Sequence, residues 1–174
     1  MLRLLKPSKK YQKTFIEGVE EIQRIDEGKG MDLQRLDIKA VKKDFFAYLR
    51  KLRDDENGFN LPKGHVRNSD FWLIDNDKFV GKVGLRHKLT PKLRNVGGHI
   101  GYIIRPSNRK KGYGSKILAL ALKKAKLLGI NKALVTCDEK NIGSKKIIEK
   151  NGGKLFSRSK IESGIMELRY WVKT

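Results

Sequence analysis

The sequence contains little cysteine and little histidine. A single cysteine, Cys137, excludes an internal disulfide framework, and His65, His87 and His99 lack the spacing of a zinc site, so we expect no metal. No run of about 18 apolar residues occurs, and the start has no apolar segment of signal-peptide length. We therefore expect a cytoplasmic protein that does not span a membrane.

Acidic residues are absent from the middle of the chain. None occurs from Lys78 to Cys137, whereas eleven of the nineteen lie between Glu17 and Glu56, and the formal net charge is +21. Two interpretations remain open: the basic surface attracts phosphates or nucleic acid, or its lysines are simply solvated. The uneven distribution predicts that the front third and the middle face different ligands.

The front of the chain has the apolar spacing of helices. Its 174 residues, 39% of them apolar, suit one domain. A short apolar run at 2–6 indicates a strand, and the pattern after Ser8 predicts an amphipathic helix that stops near Gly28 and Gly30. The same spacing over 38–52 predicts a second helix.

Further along, the apolar period changes to that of strands. Runs at 71–74 and 78–85 flank a polar turn, which predicts a hairpin, and a strand at 99–104 ends at Arg105-Pro106. An apolar stripe over 118–128 then predicts a helix. The remaining predicted elements are a strand at 133–137, a helix at 141–150 and strands at 155–157 and 165–172. This order favours a mixed sheet with helices packed on it.

The segment IIRPSNRKKGYGS, residues 103–115, lies between that third strand and the following helix. Gly112 and Gly114 allow close backbone approach, and unsatisfied N–H groups at the start of the helix attract anions. Three cations lie in the same place: Arg109, Lys110 and Lys111. We interpret the segment as a pyrophosphate cradle, with a glycine-softened turn as the alternative. It is neither a Walker loop nor a dinucleotide fingerprint, whose third glycine position holds Ile117.

The same residues resemble a known family. RKKGYG, residues 109–114, looks like the R/Q-x-x-G-x-G/A pyrophosphate loop of GNAT acetyltransferases. Residues 141–144 with 151–153 resemble the helix that follows in that family, an N-x-x-A/S helix closing in a glycine. Residues 97–102, GGHIGY, match a poorly characterised bacterial branch of the family letter for letter. The resemblance covers essentially the whole chain and is weakest at its start.

The resemblance implies a fold and an activity. The fold would be α+β: a central, mostly antiparallel sheet of about six to seven strands, splayed in the middle and flanked by about four helices. One domain would span 1–174, with a strand and acceptor-side helices in 1–65 and an acetyl-CoA-binding core in 70–174. The activity would be transfer of the acetyl group of acetyl-CoA, as co-substrate, to a primary amine of an unidentified acceptor, by a monomer or homodimer.

The family motifs also imply site residues. The backbone of Tyr102, Ile103 and Ile104 would pair with the pantetheine arm of acetyl-CoA. The pyrophosphate would be held by the loop and the first turn of the helix: Arg109, Lys110, Lys111, Gly112, Tyr113, Gly114 and Ser115. Asn141 matches a residue that contacts the pantetheine, a role compatible with a plain helix N-cap.

Proton transfer needs further groups. An amine with a pKa near 10.4 is almost wholly protonated at about pH 7, so a general base is expected. Where relatives often have a Glu, this sequence has His99, for which packing without catalysis is the alternative. Many relatives protonate the departing thiolate with a tyrosine, but the matching position is Ile148, which leaves Tyr102, Tyr113 or water. Cys137 is expected as a buried strand residue rather than as a nucleophile.

The acceptor site is expected in the front third. Acids from Asp26 to Glu56 would attract a cationic amine there. Five aromatic residues either wall a pocket or, as we favour, fill the core: Tyr11, Phe15, Phe45, Phe46 and Tyr48. Trp72 and Trp171 are likewise expected in the core.

Two other functions remain open. The +21 charge suits a non-enzymatic nucleic-acid-binding protein, but only Phe79, Tyr102 and Tyr113 are available for base stacking between residues 78 and 137, so nucleic acid is not favoured. The missing tyrosine suits an acyl-CoA sensor without turnover. No motif in the sequence identifies the acceptor.

Overall fold

A computed structural model describes residues 1–26 and 32–174. Within these ranges the chain forms seven strands and six α-helices, beside three short 3-10 turns. In chain order they are β1 Arg3–Leu5, α1 Gln12–Asp26, α2 Ile38–Lys43, α3 Phe45–Asn57, β2 Asn68–Asp75, β3 Lys78–Arg86, α4 Pro91–Asn95, β4 Ile100–Ile104, α5 Tyr113–Leu127, β5 Lys132–Asp138, α6 Ile142–Lys150, β6 Lys154–Lys160 and β7 Met166–Lys173. None of the helices in these ranges has the length and apolar character that crossing a bilayer requires.

The strands form two sheets that touch at one place. Their orders are β1-β2-β3-β4 and β5-β7-β6, and every neighbouring pair is antiparallel. Directly before β4, the His99 N–H donates to the Leu134 carbonyl oxygen of β5 at 2.7 Å. Beyond this contact, no strand ladder joins β4 to β5 in the described residues. The expected α+β architecture with a splayed centre is confirmed.

Each face of the four-stranded sheet carries its own core. Alternate side chains of β2, β3 and β4, among them Leu73, Val83 and Ile100, pack with α5 on one face. The opposite face packs against α1, α2 and α3, where Trp72 stacks on Phe15 with ring centroids 4.2 Å apart. One face of the sheet therefore supports α5, and the opposite face packs against the helices of the front third.

The predicted second helix is wrong as a single element. α2 ends before Asp44, whose φ of −141° leaves the helical region and whose side chain accepts a hydrogen bond from the Ala47 N–H at 2.8 Å. Asp44 is thus the N-cap of α3, and this competing interaction divides the helix. The short α4, capped by Thr90, was not predicted. The other predicted elements are confirmed within a few residues; Gly28 and Gly30 lie outside the described residues.

Most of the expected aromatic core is confirmed. Four of the five front-third aromatic residues are buried, as is Trp72: Tyr11, Phe15, Phe45 and Tyr48. Phe46 is the exception, with 56% of its surface exposed. Trp171 is only partly buried and lies beside His99, with ring centroids 6.5 Å apart. The core prediction is therefore wrong for Phe46 and Trp171.

Candidate active site

The start of α5 is open to an anion. Its N-cap is Gly112, with φ of 81°, and no side chain of the described residues caps this helix. A Cβ at Gly112 would meet nothing within 4 Å, so the backbone N–H groups of the first turn can be approached closely. The helix dipole and the exposed Lys110 add positive potential at the same place. The geometry suits a phosphate group.

The loop cations have different environments. Arg109 donates from Nε to the Ile104 carbonyl oxygen at 3.1 Å, and from both terminal nitrogens to the Asp26 carboxylate, with Nη1 2.8 Å from Oδ1. Lys111 Nζ donates to the Ser107 carbonyl oxygen at 2.8 Å. Two of the three cations predicted to bind pyrophosphate are therefore held by the protein itself.

Glu21 of α1 holds the first residues of the same loop. Its carboxylate accepts hydrogen bonds from Arg105 Nε at 2.5 Å, from the Ser107 N–H at 2.6 Å and from the Ser107 hydroxyl at 3.1 Å. Burial tends to raise the pKa of Glu21, but the bonds from Arg105 and Ser107 together outweigh burial and lower the pKa below its ordinary value. The front-third helix α1 thereby fixes the position of the loop before α5.

The second family motif ties α6 to α5. Asn141 is the N-cap of α6 and accepts from the Ser144 N–H at 3.0 Å, which confirms its capping role. At the other end of α6, Asn151 Nδ2 donates to the Ser115 carbonyl oxygen at 3.3 Å and lies 3.2 Å from its Oγ. A pantetheine contact for Asn141 stays a prediction.

His99 lies where the two sheets touch. Its Nδ1 accepts the Leu134 N–H at 2.9 Å, so the neutral ring carries its hydrogen on Nε2. Burial, followed by the charges of Arg94 and Arg86, lowers the pKa of His99 to about 4. Because the backbone already uses the one lone pair of the neutral ring, this arrangement argues for a role in joining the sheets. The base role stays a prediction that requires this bond to open.

The other predicted proton donors and the cysteine are in distinct environments. The Tyr113 hydroxyl donates to Asp75 at 2.8 Å. The Tyr102 hydroxyl is buried beside Ser144 without a well-formed hydrogen bond in the described part of the chain, and burial raises its pKa, so it stays protonated. Burial raises the pKa of Cys137 to about 12, which excludes a reactive thiolate near neutral pH. Ile148 is fully buried.

Sequence reasoning missed the buried charges on the sheet faces that lie away from α5. Four side chains share this property: Asp70, Lys82, Glu167 and Arg169. Lys82 Nζ lies 3.1 Å from Asp70 Oδ1. Burial raises the pKa of Glu167, against the opposing effects of the Thr136 hydroxyl and Arg169. The signal that could have found them is a charged residue inside an apolar strand run.

Several front-third acids serve the chain itself. Asp37 and Asp44 cap α2 and α3, and Glu56 pairs with Lys6 and accepts from the Ser69 hydroxyl at 2.6 Å. These acids do not converge on a site for a cationic amine. Glu27 lies outside the described residues.

Comparisons with known proteins point to one family. A family model described as an acetyltransferase (GNAT) domain matches residues 34–154. RimJ of Mycobacterium smegmatis in complex with CoA-disulfide has a TM-score of 0.74 at 15% identity, over 99% of this chain and 82% of that one. RimL, the ribosomal L7/L12 alpha-N-protein acetyltransferase in complex with coenzyme A, has a TM-score of 0.72 at 14% identity, over 99% and 93%. The microcin C7 self-immunity acetyltransferase MccE, in complex with acetyl-CoA and AMP, has the same TM-score and identity over 99% and 92%. No curated protein matches the chain.

Proposed function

The chain belongs to the GNAT family of acetyltransferases, and from this premise we propose that it transfers the acetyl group of acetyl-CoA to a primary amine. The observation that carries the proposal is the uncapped start of α5, where Gly112 leaves open space beside the divergence of β4 and β5. We further propose that residues 1–65 and 70–174 act as one domain and that the acceptor approaches from the side of residues 1–65. We also propose that the protein works in the cytoplasm.

Acetyl-CoA would lie along the gap between the sheets. The backbone of β4 at Tyr102, Ile103 and Ile104 lacks a ladder partner on the β5 side in the described residues, which supports pairing with the pantetheine arm. The pyrophosphate would meet the N–H groups from Gly112 to Ser115 and the side chain of Lys110. Because Arg109 is bonded to Asp26 and Ile104, the Asp26 carboxylate would compete with the pyrophosphate for its guanidinium.

The acceptor must lose two protons in the reaction. A carboxylate takes the first from the ammonium, the neutral nitrogen attacks the thioester carbon, and the C–S bond breaks. The second proton leaves the nitrogen as the sulfur is protonated, so the products are the acetamide and the thiol. Glu167 suits the first step because it is hydrogen-bonded to Thr136 of β5, whose hydroxyl accepts from the Gly97 N–H at 3.0 Å near the junction of the sheets, and because burial raises its pKa. The Tyr102 phenol, held protonated beside α6, suits the last step. His99 remains the rival base.

The experiment that tests this function measures amine-dependent thiol release. The protein is incubated with acetyl-CoA and a panel of amino acids, peptides, polyamines and aminoglycosides. We expect turnover with at least one acceptor, with the N-acetyl product identified by mass spectrometry. Binding of acetyl-CoA without turnover of any amine would favour an acyl-CoA sensor instead.

A further inference from the structure

The three-stranded sheet carries an aromatic cluster on the face opposite α5. Tyr170 and Val172 of β7 belong to the core that packs against α5. Because side chains alternate along a strand, Trp171 lies on the other face. There its ring centroid is 6.0 Å from that of Phe156 on β6 and 6.5 Å from that of His99. Three rings therefore meet on this face, with Trp171 beside both of the others.

Phe156 is the member of the cluster that faces solvent. It has 59% of its surface exposed and lies on β6, the edge strand of its sheet. The register of β6 and β7 shifts between Leu155 and Ser157, which inserts Phe156 as an extra residue without a register partner. The bulge thus presents an exposed ring that rests against a second ring, and a flat ligand can stack on such a surface.

Exposed lysines surround the aromatic cluster. Lys132 Nζ lies 5.9 Å from the centroid of the Trp171 ring. Lys173 is the register partner of Lys132, and Lys154 is the register partner of Trp171. Side chains of directly paired residues lie on the same side of a sheet, so the three lysines share the face with the rings. All three are exposed, which makes this end of the sheet positively charged.

The acids of the same face lie at the other end of the sheet. Asp138 and Glu167 are register partners at the opposite end of the ladder from Lys132 and Lys173. Glu167 is buried, and Asp138 accepts a hydrogen bond from the Lys140 N–H at 2.8 Å. The face is therefore basic and aromatic at one end and acidic at the other, and an anionic ligand is attracted to the end that has the rings.

Rings and lysines on one sheet face are the two components that bind single-stranded nucleic acid. Bases stack on the aromatic side chains while cations follow the phosphates, and stacking requires no particular base. Sheets with exposed aromatic residues bind RNA in this way. A duplex keeps its bases stacked inside and offers no free base face. Because the Phe156 ring rests against Trp171, it presents a stacking surface rather than a projecting side chain for insertion into a bilayer.

We propose that this basic aromatic face, formed by Phe156, Trp171, Lys132, Lys154 and Lys173, binds single-stranded nucleic acid. A base stacks on Phe156, and the lysines contact the neighbouring phosphates. Binding does not depend on acetyl transfer, since the face is opposite the one that packs against α5. It gives part of the net charge of +21 a function. The rings come from the end of the chain, outside the basic stretch 78–137.

The stacking contact is tested by fluorescence anisotropy with labelled oligo-dT and oligo-U of about ten nucleotides. Phe156→Leu keeps an apolar side chain but removes the ring. Phe46→Leu is the matched control, because Phe46 is 56% exposed and also lies beside a lysine, with Lys9 Nζ 4.4 Å from its ring centroid. We expect Phe156→Leu to weaken binding about tenfold and Phe46→Leu to bind like the wild type.

The phosphate contacts are tested by the salt dependence of the same binding. Lys132→Gln combined with Lys154→Gln removes two exposed cations of the face. Lys39→Gln combined with Lys63→Gln removes two exposed cations of the front third and leaves the same net charge. We expect the slope of log Kd against log salt to fall by about 1.4 in the first double variant, from about 0.7 for each phosphate contact, and to stay unchanged in the second.

Thermal unfolding checks that the variants fold, and the midpoints should change by less than about 2 °C because all the substituted side chains are exposed. The tighter of the two oligonucleotides identifies DNA or RNA as the ligand. Failure of the wild type to bind either strand would overturn the inference, as would equal losses in Phe156→Leu and Phe46→Leu. Equally tight binding of duplex DNA, of polyglutamate or of phosphatidylserine vesicles would also overturn it, because each lacks a free base face.

Discussion

The proposed cofactor side, formed by the loop before α5, and the proposed acceptor side, formed by buried charged residues on the sheet faces away from α5, are built from the chain in different ways. The cofactor side is almost contiguous, because the loop from Arg105 to Gly112 and the first turn of α5 supply its groups. The acceptor side combines β2, β3, β4 and β7 with the segment at Leu33. A contiguous site acts mainly through backbone N–H groups, whereas the dispersed site depends on side chains that only the folded sheets bring together.

The two sides also differ in how they use charge. On the cofactor side, exposed or half-buried cations are held by Glu21 and Asp26 of α1. On the acceptor side, the Asp70–Lys82 pair and Glu167 are buried. We therefore expect substitutions on the acceptor side to change turnover or acceptor choice, and those on the cofactor side to change acetyl-CoA affinity.

Glu167→Gln is expected to have the largest effect. The change removes the proposed base but keeps the shape of the side chain, so kcat should fall about 100-fold while the Kd of acetyl-CoA stays unchanged. In the wild type, kcat/KM should rise with pH through a pKa above the ordinary value of Glu, since burial raises it. Steady-state kinetics over a pH series checks both. Glu162→Gln, at the exposed turn between β6 and β7, is the control. Loss of turnover in His99→Gln together with normal turnover in Glu167→Gln would contradict the assignment.

Glu21→Gln is expected to weaken acetyl-CoA binding about tenfold, because charge-assisted hydrogen bonds to Arg105 and Ser107 that fix the loop are lost. The affinity should be measured by calorimetry. Glu20→Gln is a matched control, since the Glu20 carboxylate is next to Glu21 in the chain but pairs with Lys42 rather than with the loop. Equal affinities of the two variants would show that α1 does not position the loop.

Asp26→Asn is expected to act in the opposite direction. Arg109 is then released from its partly exposed ion pair and becomes available to the pyrophosphate, so acetyl-CoA should bind about threefold more tightly. Arg109→Gln should cost more affinity in the Asp26→Asn background than in the wild type. A double-mutant cycle of Kd values measures the difference, and additive effects would mean that the ion pair does not compete with the ligand.

The same contrast explains what the sequence could predict. The loop before α5 was recognisable because its glycines and cations are adjacent in the chain, and the strand and helix around it follow from apolar periodicity. The Asp70–Lys82 pair was not, because its members lie on two strands and are joined only by the register of β2 and β3. The sequence also did not predict that Arg109 pairs with Asp26, since the two residues are distant in the chain.

His99 is expected to have the smallest effect, on the pH dependence of stability. Its pKa is about 4 in the folded protein against an ordinary value of 6.5, so the unfolded chain binds a proton in that interval that the folded chain does not. The free energy of unfolding of the wild type relative to His99→Gln should therefore fall as the pH is lowered from 6.5 to about 4. Above pH 6.5 this difference should stay constant. Urea unfolding at several pH values checks this; a constant difference would show that His99 is not held neutral.

The central claim, an acetyl-CoA site at the start of α5, is tested most directly by calorimetry on two glutamate variants. Gly112 and Gly129 lie at opposite ends of α5, both have a left-handed backbone with φ of 81° and 77°, and a Cβ at either meets nothing within 4 Å. Gly112→Glu and Gly129→Glu therefore carry the same backbone strain, but only the former places a carboxylate at the proposed pyrophosphate site. We predict that Gly129→Glu binds acetyl-CoA like the wild type, even with ATP or duplex DNA at high salt, and that Gly112→Glu does not. Equal binding by the two variants, or acetyl-CoA displaced by any polyanion and lost in salt, would contradict the account.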